Sequence, residues 1–69
     1  MLAVERRAQI VAEVHDHDVV EAAELRHRFG VSPMTIRRDL LVLEGLGQLT
    51  RVHGGAVRVG FGEFSQQAG

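Results

Sequence analysis

The sequence has no cysteine and no lysine. The first absence excludes a disulfide framework and any thiolate metal site. The second leaves arginine, with its forked guanidinium, as the only strongly basic side chain. Tyrosine and tryptophan are also missing, and only three phenylalanines occur, too few for the stacking platform that single-stranded nucleic acid needs. No run of about 18 apolar residues is present, so no segment is expected to span a membrane. The start, MLAVERRAQI, lacks the apolar core and small-residue cleavage site of a signal peptide. A cytoplasmic location is the default expectation. Sixty-nine residues make one small domain that buries roughly 60% of its unfolded surface. Without staples it must rely on helix packing or on assembly.

Catalytic chemistry is equally thin. His15, His17, His27 and His53, with Asp16 and Asp18 beside the first two, are the only metal candidates; no H-x₃-H or C-x-x-C spacing occurs, and surface solvation in a turn explains His15 and His17. No nucleophile–base pair or phosphate-cradling glycine loop is visible. Neither enzyme activity, nor a cofactor, nor a metal is expected.

What is present is an uneven distribution of charge. Residues 1–25 set Arg6 and Arg7 against six carboxylates. Residues 26–58 set Arg26, Arg28, Arg37, Arg38, Arg51 and Arg58 against Asp39 and Glu44. The formal net charge of -1 therefore conceals an acidic half and a basic half, and the field depends on where the charges sit.

Apolar spacing predicts a helix over 3–15, with Ala3, Ile10, Val11 and Val14 on one side. HDHD at 15–18 ends it, and Val19 and Val20 suit a very short strand. A second helix is expected from Ala22 to Phe29, burying Ala22, Leu25 and Phe29. Glu21 is a weak cap for it, and Gly30 is its left-handed stop. Two residues later Ser32 caps a third helix, with Pro33 at its first position. This helix is expected to run to about Leu46 and to bury Ile36, Leu40 and Leu43. A short turn between two helices is the helix-turn-helix arrangement, here at about 20–39, and the first helix supplies the third wall of the core.

After Gly47 the period changes to two. LTRVHGGAVRV predicts a hairpin over about 49–59 with Gly54-Gly55 as its turn. That register sets Arg51 opposite Arg58 and Val52 opposite Val57. Val52, Val57 and Val59 point inward, while Arg51, His53 and Arg58 point outward. Two opposed arginines repel, and an anion lying on the ribbon would relieve them. The fold class is therefore mostly α with a small β-hairpin: a winged helix-turn-helix over 3–58. Residues 60–69 read as a linker or tail that carries Phe61 and Phe64.

With Ile36 at the centre of the buried face of the third helix, Met34, Arg38, Leu41 and Gly45 point away and Thr35 and Arg37 flank them. Asp39 falls near the core edge, where it orients an arginine or pairs with Arg6 or Arg7. A helix about 20 Å long presenting such residues at its leading end suits the major groove. Arginine bonds guanine or clamps phosphate. Thr35 and the amides at the helix start suit phosphate, and Met34 suits a thymine methyl. Ser32 can cap and bind phosphate together. The DNA-binding set is Ser32, Met34, Thr35, Arg37, Arg38, Arg51, His53 and Arg58. A winged helix that binds protein instead of DNA is the alternative.

ERRAQIV and FGVSPMTIRRDLLVLEGLGQLTRVHGGAV resemble the DNA-binding domain of the DeoR family of bacterial transcriptional regulators, over roughly residues 3–58. Arg6 with Ile10, the run from Ser32 through Thr35-Ile36-Arg37-Arg38-Asp39-Leu40, and Arg51-Val52-His53-Gly54-Gly55-Ala56 carry the match. The resemblance implies recognition of double-stranded operator DNA, usually by a repressor of a sugar or related catabolic operon. It also implies a C-terminal domain that binds a phosphorylated metabolite and drives oligomerisation. That domain is absent from this chain, which is expected to be a fragment or truncated product. Glu21 departs from the serine or threonine that such proteins often place there.

Overall fold

A computed structural model describes residues 1–62. In chain order it forms α1 (Ala3–His17), β1 (Val19–Glu21), α2 (Ala22–Phe29), α3 (Pro33–Gly45), β2 (Thr50–Val52) and β3 (Gly55–Val57). The tail expected from residue 60 onward lies outside the described residues beyond Gly62, and Phe64 with it. No helix among the described residues is long and apolar enough to cross a membrane.

Local signals set the helix ends. The Glu5 carboxylate accepts from the Leu2 N–H at 3.0 Å, satisfying one donor at the start of α1. α1 runs two residues past the expected end, through His17, and stops at Asp18. Asp18 turns the chain with φ +69, a value uncommon for any residue but glycine. α2 and its stop at Gly30 (φ +64) fall where expected. In α3, Ser32 Oγ accepts from the Thr35 N–H at 3.1 Å and Pro33 takes the first turn. α3 ends one residue short of the expected Leu46, which caps it.

The core is one cluster. Ile10 and Val14 of α1, Val20 of β1, Leu25 of α2, Ile36, Leu40 and Leu43 of α3, Leu49, and Ala56 of β3 are buried together. Each large aliphatic side chain among them contributes roughly 1.5–3 kcal/mol. Ala3 was expected in this stripe and is exposed. Only the second half of α1 reaches the apolar cluster, and the first half contacts α3 through Arg6 and Arg7 instead.

The hairpin departs from expectation. Its two-residue turn is His53-Gly54, not Gly54-Gly55, and the pairs are Thr50↔Val57, Arg51↔Ala56 and Val52↔Gly55. Arg51 and Arg58 are therefore not opposed, and there is no repulsion between them for an anion to relieve. The inward residues change as well. Ala56 is buried, Val57 is half-buried, and Val52 and Val59 are exposed. The cause is a third strand. β3 is central, with β1 antiparallel on its other side: Val19↔Val57, Val20↔Ala56 and Glu21↔Gly55. A Cβ on Gly55 would lie 2.0 Å from the Val20 carbonyl oxygen. Gly55 is thus needed inside the sheet, and Gly54 (φ +81) alone supplies the positive φ of the turn. The Ala22 N–H donates to the Gly54 carbonyl at 2.8 Å, tying the turn to the start of α2.

Candidate nucleic-acid interface

The third helix is fixed from within by an acid. Asp39 is fully buried beneath α3 and is bonded by both arginines of α1. Arg6 donates through Nε and through Nη2, the latter at 3.0 Å, and Arg7 donates through Nε at 2.9 Å. Burial pushes the Asp39 carboxyl up. The hydrogen bonds from Arg6 and Arg7 outweigh that effect and hold it below the ordinary carboxylate range. The expectation of a core-edge acid that pairs with α1 is borne out, with both arginines engaged rather than one.

The outer face of α3 carries no such partners. Met34 is 64% exposed, and Arg37 and Arg38 are exposed without a carboxylate partner among the described residues. Thr35 is half-buried. Its N–H is taken by Ser32 Oγ, and its hydroxyl lies 2.9 Å from that same oxygen. Ser32 and Thr35 therefore form a closed cap, and a phosphate oxygen would have to share it.

The hairpin residues divide. The Arg51 N–H donates to Glu44 Oε2 at 2.9 Å, and Arg51 Nε to Glu44 Oε1 at 3.3 Å. These bonds, the backbone one foremost, hold the Glu44 carboxyl below its ordinary range. They also pin the hairpin to the end of α3. His53 is exposed in the turn. Arg58 lies at the opposite end of β3 from the turn. Its N–H donates to the Asp18 carbonyl at 2.8 Å, and its Nε to Asp18 Oδ1 at 2.6 Å. The structure thus brings Arg37 and Arg51 to one groove, places His53 at the tip, and ties Arg58 to the corner after α1.

The two charge halves of the sequence largely pair in space. Arg28 bonds Glu13 at 2.6 Å and Glu24 at 3.3 Å. With Arg6, Arg7, Arg51 and Arg58 also engaged, Arg26, Arg37 and Arg38 are the arginines without an ion pair among the described residues. Arg26 was missed from sequence. It lines a groove of about 390 Å³ with Arg37 and Arg51, bounded by α2, α3 and the hairpin. Its i, i+3 and i, i+4 spacing from Ala23 and Ala22 was the available signal.

Residues 6–60 match the DeoR-like helix-turn-helix domain. The lactose phosphotransferase system repressor of Streptococcus mutans is 48% identical over 52 residues, 75% of this chain and 21% of that protein. The uncharacterized HTH-type transcriptional regulator FruR of Bacillus subtilis is 48% identical over 59 residues, 86% of this chain and 24% of that protein. The HTH-type transcriptional regulator GlpR of Haloferax volcanii is 48% identical over the same number of residues, 86% of this chain and 23% of that protein. The chain thus spans less than a quarter of the length of these relatives. No solved structure matches.

Proposed function

The chain belongs to the DeoR-like helix-turn-helix family, and from that premise we propose that it binds double-stranded operator DNA sequence-specifically, as the recognition domain of a transcriptional repressor. The observation that carries this reading is the exposed Arg37-Arg38 at the leading half of a capped α3, without a carboxylate partner among the described residues, on a chain whose other arginines, Arg26 apart, are bound to carboxylates. Unpaired guanidiniums at the start of a helix of this length can enter the major groove and meet base edges or phosphates. The names of the relatives, one of them a lactose phosphotransferase system repressor, support a sugar-catabolic operon as the target. Such a module works where the chromosome is, in the cytoplasm. It needs a second copy to read a symmetric operator, since a single module covers only about 600–1,000 Å².

The test is titration of labelled duplex DNA, first as a random pool and then as sequences selected from it, at several salt concentrations. Binding should weaken with salt by a slope of about 0.9 per phosphate neutralised, and selection should converge on one motif. Failure to bind any duplex in the pool at low salt would sink the reading and favour a protein partner for the same fold.

A further inference from the structure

We propose that Arg26 of α2 joins Arg37 of α3 in a clamp for one backbone phosphate of the bound duplex, seated in the groove between α2, α3 and the hairpin. The proposal rests on the DNA-binding reading above and adds to it a contact from a helix that the recognition face does not include.

Arg26, Arg37 and Arg51 come from three different elements and line the same groove. No carboxylate lines it with them. Glu44 engages Arg51 only through the backbone N–H and Nε, and Arg26 and Arg37 have no acidic partner among the described residues. Arg26 and Arg37 thus line the groove without a counter-charge among the described residues, and their mutual repulsion is a cost that an anion would remove. The contrast within α2 is direct, because Arg28, two residues on, is held by Glu13 and Glu24.

The shape of the groove favours a phosphodiester. Ala22, Ala23, Gly54 and Gly55 line it with small side chains or none, beside the apolar Pro33, Ile36, Leu40 and Val52. The volume of about 390 Å³ leaves room for a sugar–phosphate unit. Two guanidinium forks suit the paired oxygens of a phosphate. Duplex geometry points the same way. With α3 in the major groove and the hairpin over the neighbouring groove, the strand that separates the two grooves has to cross the cleft between them. Arg26 stands on the α2 side of that cleft, off the outer face of α3.

The experiment measures duplex binding against salt for the wild-type chain, Arg26→Ala, Arg26→Lys and Arg28→Ala, with circular dichroism to confirm folding. Arg26→Ala should lower the salt slope by about 0.9 and weaken selected and random duplexes by the same factor. Arg26→Lys, which keeps a point charge, should restore most of the slope, and Arg28→Ala should match the wild type. Inorganic phosphate at matched ionic strength should not displace the duplex. An unchanged slope in Arg26→Ala while the wild type binds would overturn the clamp and leave the DNA reading standing. So would a change confined to sequence preference. Displacement by inorganic phosphate would reassign the groove to a free anion. Absence of duplex binding by the wild type would remove the reading beneath it.

Discussion

Two arginine pairs, Arg6-Arg7 and Arg37-Arg38, are written alike in the sequence and end up in opposite situations. The first pair is turned inward onto the buried carboxylate of Asp39. The second stands exposed, without a carboxylate partner among the described residues. The acid that decides this is the neighbour of the exposed pair, yet it serves the distant one. A helix places adjacent residues about 100° apart, so Asp39 faces the core while Arg38 faces out. Its partners must then come from another helix. One pair holds the recognition helix in place, and the other is left available to a ligand.

The strongest way to break this contrast is to remove the acid. Asp39→Ala leaves two arginines facing a buried void and should cost about 3–5 kcal/mol. A domain of this size has roughly 0.05–0.15 kcal/mol of stability per residue, so a large share of its stability should be lost, which a lower urea midpoint would show. Acid tests the same group without mutation. The folded value of Asp39 is depressed, so its contribution is present above the ordinary aspartate value of about 3.9 and is lost as pH falls through the folded value. The thermal midpoint should drop between pH 5 and pH 2, and Asp39→Asn should start lower and vary less over that window.

Next in size is Arg6→Ala. It removes two hydrogen bonds to a charged group, each worth about 1.5–3 kcal/mol before Arg7 compensates. It should destabilise more than Arg7→Ala, which removes one. The opposite signature is expected for Arg37→Ala and Arg38→Ala. Stability should stay within about 0.5 kcal/mol, while duplex binding should weaken by about 1–3 kcal/mol wherever a base is read. Relaxed preference at one base pair would mark the reader, and uniform weakening would mark a phosphate contact. Ser32→Ala, which removes the cap that starts the exposed pair's helix, should cost less stability than Arg6→Ala and more than Arg37→Ala or Arg38→Ala. A loss of about 1 kcal/mol in unfolding free energy would place the cap's value between the two arginine pairs.

Helix ends were legible because their causes are local. Ser32-Pro33 starts α3 and Gly30 stops α2 through interactions within a few residues. The hairpin register was not legible, because Gly54 and Gly55 each suit a turn when read alone. Only the approach of Val20, from β1, shows that Gly55 is wanted in the sheet. The site divides in the same way. Met34, Arg37 and Arg38 followed from the helical wheel. The engagement of Arg58 by Asp18 and of Arg28 by Glu13 did not, since those partners meet through tertiary packing. Arg26 was not legible, because what sets it apart is the lack of an acidic partner among the described residues.

The strand order β1-β3-β2 also has a consequence in time. The central strand is the last of the three along the chain, and both neighbours find their backbone partners on it. Nothing in the sheet can close while a growing chain ends before β3. β1 has to wait through the whole of α2, α3 and β2, and closing that span is the slow, entropically costly kind of pairing. The helices, built from near neighbours in sequence, have no such wait. The wing can therefore close only once β3 has met both of its neighbours, the one before three intervening elements and the one next to it.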